Sequence, residues 1–142
     1  MESLCPSAPA HAEGARVFGL VRGEPGARRV AYLTETTGMT DEIAAAVAPA
    51  MPNEVLRTAA SCAGCRCRHF DGQDCTLASR IAAMLPPVVG KPPPCAIRAE
   101  CRWWRQEGLR ACLRCPQVVT AGRAETIEMA VAAEPPAASR EA

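Results

Sequence analysis

The stretch SCAGCRCRHFDGQDC, residues 61–75, sets four cysteines and one histidine in fifteen positions. Whether these thiols are cross-linked, hold a metal or carry out chemistry decides how the chain around them can fold. The pattern continues downstream. Cys62, Cys65, Cys67 and Cys75 read C-x2-C-x-C-x7-C, and Cys95, Cys101, Cys112 and Cys115 read C-x5-C-x10-C-x2-C, followed at once by Pro116. A C-x2-C pair lets one turn of backbone aim two sulfurs at the same ion or cluster. Two such pairs, with four more cysteines between them, point to metal.

Disulfides are the competing use of so many thiols, and they need an oxidising compartment. The N-terminal MESLCPSAPAHAEGARVF has neither the basic start nor the apolar stretch of a signal peptide. No run approaches the roughly 18 apolar residues of a membrane span. The expectation is therefore a soluble cytoplasmic protein with reduced thiols.

Zinc motifs bring two C-x2-C pairs together over a gap of about 15–20 residues, whereas 46 residues separate Cys65 from Cys112. The Cys115-Pro116 pair matches the end of the bacterial ferredoxin motif, although the other ferredoxin spacings are absent. All-cysteine ligation suits both cofactors. An iron-sulfur cluster of the 4Fe-4S type is the leading expectation, and zinc is the alternative. The candidate ligands are Cys62, Cys65, Cys67, Cys75, Cys95, Cys101, Cys112 and Cys115, as two adjacent sets of four or as interleaved sets. Cys67 is the weakest of them, because Cys65 and Cys67 flank one residue and would strain to reach a common centre. His69 is its substitute. Cys5, isolated near the N-terminus, is expected to be no ligand.

The remainder of the chain supports a small α+β fold. Apolar runs at Val17–Val21 and Val30–Leu33 flank a turn at Gly23, Glu24, Pro25 and Gly26, which predicts a β-hairpin. Thr40 before Asp41 and Glu42 predicts a capped helix ended by Pro49, and EVLRTAAS predicts a strand leading into the first cysteines. CTLASRIAAML, with Leu77, Ile81 and Leu85 at four-residue spacing, and AECRWWRQEG, ending at Gly108, are two short helices. PPVVGKPPPC between them is too rich in proline for either regular element. The expected organisation is a flexible lead-in over 1–14, a hairpin and helix lobe over 15–60, a metal-organised cysteine lobe over 61–120, and a tail over 121–142 that is partly helical or disordered.

Composition fits this plan. Among 142 residues the hydrophobic fraction is 49%, but alanine and cysteine inflate it and only five aromatics are present: Phe18, Tyr32, Phe70, Trp103 and Trp104. So small a core commonly needs a metal or disulfides. Formal charge is +1 overall, yet the balance is −2 over residues 1–61, +5 over 62–115 and −2 beyond. A basic middle can meet nucleic acid, but Trp103 and Trp104 are few aromatics for stacking bases. Two four-thiolate centres, at about −2 each, would absorb most of the excess. In the same way Arg102 and Arg105 could balance a cluster that the indoles of Trp103 and Trp104 screen from water.

No Gly-rich phosphate loop, nucleophile elbow or paired-histidine zinc motif occurs, and Asp71 and Asp74 read as a turn around Gly72 rather than an acid-base pair. CAIRAECRWWRQEGLRACLRCPQVVT is similar in a general way to small bacterial cysteine-rich proteins, and the Ala-, Arg- and Pro-rich composition resembles that of high-GC bacteria. The expected function is electron transfer or redox sensing through cysteine-ligated clusters, with a protein partner and no substrate turnover. The alternative is a zinc-stabilised module that holds a protein partner without redox chemistry.

Overall fold

A computed structural model describes residues 3–24, 26–120 and 127–133, with Cys65, Ile127 and Glu128 as backbone only. It is a mixed α+β structure built on one four-stranded antiparallel sheet of order β1-β4-β2-β3. The strands are β1 (Leu4–Cys5), β2 (Arg16–Arg22), β3 (Arg29–Gly38) and β4 (Leu56–Ser61). The predicted hairpin is β2 and β3, paired from Arg22 opposite Arg29 back to Arg16 opposite Gly38. Its turn contains Gly23 and Gly26 at positive φ; Pro25 lies outside the described residues. β3 runs farther than its apolar stretch because its second half is a largely exposed, polar outer edge, where alternation gives no signal.

A bulge at Phe18 shapes the hairpin. Val17 faces Thr58 of β4 while Gly19 already faces Arg57, so Phe18 is the extra residue, and both Val17 and Phe18 are buried. Bulges re-aim side chains in this way, and here the result is a phenyl ring under the helices. Gly19 completes the device: a Cβ on it would lie 2.5 Å from Val30 Cγ1 and 3.3 Å from the Ala31 carbonyl. A Gly19→Ala substitution should therefore cost about 1–3 kcal/mol, as overpacking does, and should lower the urea midpoint of unfolding without changing its slope.

The helices follow their sequence signals. α1 (Asp41–Val47) is capped by Thr40, whose Oγ1 accepts from the Ile43 N–H at 3.2 Å. One turn, α2 (Pro52–Val55), leads into β4. α3 (Thr76–Met84) buries Ala78, Ile81 and Ala82, and Leu85 just beyond; Leu77 is only half-buried. Alanines thus complete the stripe that the larger residues begin. α4 (Arg102–Glu107) stops at Gly108, whose φ of 69° lets the chain turn into α5 (Leu109–Cys112). α6 (Ile127–Ala133) packs on α3, where Arg80 Nε donates to the Ala132 carbonyl at 2.7 Å. The tail expected over 121–142 is described only through this helix; residues 121–126 and 134–142 lie outside the described residues.

Residues 1–14 were expected to be a flexible lead-in, but Leu4–Cys5 is the outer strand of the sheet, with Leu4 opposite Ser61 and Cys5 opposite Ala60. The segment that follows covers β4. Thr58 Oγ1 donates to the Ala8 carbonyl at 2.7 Å, and Asn53 Oδ1 accepts from the Ala10 N–H at 2.7 Å. β4 is therefore buried from Leu56 to Ala60. One core joins the hairpin to the cysteine region: Phe18 and Ala59 pack with Ile81, Leu85, Ile97, Trp103 and Ala111, and Cys75 and Cys101 belong to the same cluster.

Candidate metal centres

The thiols fall into two sets. The first begins where β1 and β4 end. The Cys62 N–H donates to the Ser3 carbonyl at 2.8 Å, which extends the β1–β4 ladder by one step. A 3-10 turn over Gly64–Arg66 carries Cys65, and Cys67 follows, its Sγ accepting from the His69 N–H at 3.5 Å. Asp71 then closes the turn expected of it: its Oδ1 accepts from the N–H groups of Gln73 and Asp74 at 2.9 and 2.8 Å, around Gly72 at φ 104°. This turn delivers Cys75 to the N-cap of α3. Gln106 of α4 clamps the same residue from outside, accepting from its N–H and donating to its carbonyl, both at 2.8 Å.

Cys62, Cys67 and Cys75 line a cavity of about 480 Å³ together with Cys5, His69, Phe70 and Trp103. Burial pushes the Cys5 thiol up to about 11, and the charges of Cys75, Cys62 and Cys67 act in the same direction. Those four sulfurs are electrostatic neighbours. His69 is partly spoken for, because its Nδ1 accepts from Arg80 Nη2 at 2.9 Å. Burial, then Arg80 and Arg68, lowers its proton affinity, so the ring is neutral; with Nδ1 accepting, its proton sits on Nε2, which in this arrangement has no lone pair for a metal.

The second set is Cys95, Cys101, Cys112 and Cys115, which enclose a much tighter space of about 20 Å³ with Phe18, Tyr32, Arg98, Trp103 and Trp104. The proline-rich crossing delivers Cys95. Cys101 stands at the N-cap of α4, while Cys112 ends α5 and Cys115 opens a 3-10 turn. Burial pushes the Cys101 thiol up to about 12. Burial and then the Cys115 charge raise the Tyr32 hydroxyl. Cys95, Cys101, Cys112 and Cys115 thus border one cavity, and Cys62, Cys67 and Cys75 border the other.

Between the sets stand Arg57 and Trp103. Arg57 is 0% exposed. Nε and Nη2 donate to the Pro6 carbonyl at 3.1 and 2.8 Å, Nη1 donates to the Cys115 and Val118 carbonyls at 3.0 Å each, and Nη2 reaches Cys115 Sγ at 3.4 Å. The guanidinium lies 5.2 Å from the Phe18 ring and 5.8 Å from that of Trp103. Burial alone would weaken its hold on a proton, but the Cys115 and Tyr32 charges outweigh that and raise it. Its side-chain neighbours are thus the Cys115 sulfur and the Tyr32 hydroxyl rather than carboxylates.

Trp103 is a wall common to both cavities. Its Nε1 and Arg98 Nε are buried side-chain nitrogens with no hydrogen-bond partner among the described residues, and both residues line the second cavity. No known family, curated protein or solved structure matches this chain. What the sites can do has to come from their own chemistry.

The described cysteines are all free thiols, and no group of three His, Cys, Asp or Glu side chains among the described residues stands ready to chelate a single ion. The donor set nevertheless fits a soft, anionic metal centre. The sulfurs border shared cavities, the His69 N–H donates to the Cys67 sulfur, and two buried side-chain N–H donors lack acceptors among the described residues. The flanking arginines serve backbone carbonyls: Arg102 reaches Gln73, Arg105 reaches Ala99 and Arg114 reaches Leu85. Among Arg57, Tyr32, Phe18, Gln106 and Cys5, none was singled out from sequence as a site residue. Only Arg57 carried a signal, as the one charge inside the otherwise buried run LRTAA.

Proposed function

We propose that the chain is a small iron-sulfur protein that passes electrons or registers redox state through clusters bound by the two cysteine sets. The unpartnered Trp103 Nε1–H and Arg98 Nε–H beside the thiol cavities carry this reading. Leaving a buried donor without an acceptor costs about 1–3 kcal/mol, and cluster thiolates and bridging sulfides are acceptors of the needed charge. Hydrogen bonds and positive charge near the sulfurs are what set a cluster's potential, and Arg57, Arg98 and Trp103 would supply them here. Cys95, Cys101, Cys112 and Cys115 would hold one cluster. Such a protein needs a redox partner, which we take to be another protein. Free thiols and cluster chemistry suit a reducing compartment, hence the cytoplasm. Among the described residues no helix is long and apolar enough to cross a membrane.

A second reading has its own support. The second set encloses about 20 Å³, little more than the space of one water-sized particle, and that compactness suits a lone Zn²⁺ in a structural, partner-holding module. One measurement separates the two. Protein purified without oxygen should show broad visible absorption that bleaches with dithionite, with iron and acid-labile sulfide in equal amounts. Colourless protein containing zinc and no sulfide would select the second reading, and protein free of all three would end both.

A further inference from the structure

The geometry points to Cys5 as a ligand of the first centre, so that the N-terminal strand closes the cluster from the edge of the sheet. This rests on the iron-sulfur reading above and adds a residue to it.

The strand register carries the argument. Cys5 stands opposite Ala60, and Cys62 lies two residues beyond Ala60 on the same face of the ladder. Diagonal neighbours of this kind sit about 7–8 Å apart. A disulfide needs Cβ atoms about 4 Å apart, so these two thiols are placed to share a polynuclear centre and not to cross-link. The cavity agrees: Cys62, Cys67 and Cys75 approach it from the 61–75 loop and the start of α3, and Cys5 bounds it together with Ser7, Ala8 and Pro9 of the N-terminal segment.

Stoichiometry gives the same answer. Cys5, Cys62, Cys65, Cys67 and Cys75 are five thiols for a centre that takes four. Cys65 and Cys67 are separated by one residue, so they compete for one coordination position, whereas Cys5 comes from a different strand, β1. Leu4 extends the consequence to the other centre, since it bridges to Cys101, the N-cap of α4. The two-residue strand thus touches a ligand of each set.

The test is iron and sulfide content with native mass spectrometry, on anaerobic wild-type and Cys5→Ser protein. The variant should retain the second centre and lose the first, which halves the iron per chain. Wild-type iron and sulfide in the variant would overturn the assignment. Wild-type protein without iron would instead defeat the underlying reading, an outcome the same sample reveals separately. Should the serine variant unfold and lose both centres, Cys5→Gly reconstituted with and without 2-mercaptoethanol decides, because a free thiol can occupy the vacated position. Thiol-dependent recovery of iron supports Cys5 as a ligand. Iron content indifferent to the thiol, whether full or nil, overturns it.

Discussion

A Cys112→Ser, Cys115→Ser double variant is expected to lose the metal of the second set and, with it, the fold of residues 95–118. The reason is energetic. Domain stability is about 5–15 kcal/mol, and metal binding to a site absent from the unfolded chain contributes on the order of 10–16 kcal/mol in small zinc domains. A core of one buried tryptophan, one phenylalanine and a few aliphatic residues does not replace a contribution of that size. The damage also spreads through named contacts. Cys115 supplies Arg57 with a carbonyl and a sulfur, and the 3-10 turn it opens places Gln117, whose Nε2 donates to the Pro86 carbonyl at 2.7 Å. Metal per chain and the urea unfolding curve are the two readouts. A double variant with full metal content and an unchanged midpoint would sink both metal readings at once.

Arg57→Met should be almost as harmful, for a different reason. Methionine fills similar volume but leaves the Pro6, Cys115 and Val118 carbonyls without their shared donor, and each unsatisfied buried group costs about 1–3 kcal/mol. An overall loss of roughly 3–5 kcal/mol follows, the range seen when one member of a buried charged network is removed. Arg57→Lys should recover little of it, since an ammonium is a point donor and cannot span three carbonyls with a planar fork. If the metal-loaded variant can be isolated, its reduction potential should fall, because a positive charge beside the sulfurs favours the reduced, more negative cluster. An Arg57→Met protein as stable as wild type, with the same potential, would mean that the buried charge has no part in either task.

Much of this architecture is legible in the sequence because it rests on local signals. Two apolar runs around glycines give the hairpin, a threonine before two acids gives α1, and Gly108 marks the end of α4. The cysteines announce themselves by spacing. Their partnership does not, since spacing is local and grouping is a property of the folded chain. Cys5 was passed over because a two-residue strand has no periodicity and its partner strand begins at residue 56. Arg57 was passed over because an arginine in a strand normally faces water. Its burial depends on carbonyls at residues 6, 115 and 118, and no local window contains them.

The clamp around Arg57 also fixes an order of events during synthesis. The guanidinium meets the Pro6 carbonyl as soon as β4 exists, but its other two carbonyls belong to residues 115 and 118. At a translation rate of about 5–20 residues per second, the ribosome needs roughly 3–12 s to reach them. For that interval the cation lacks two of its three carbonyls. Closure is therefore a late step, set by when residues 115 and 118 arrive rather than by the strand that carries the cation.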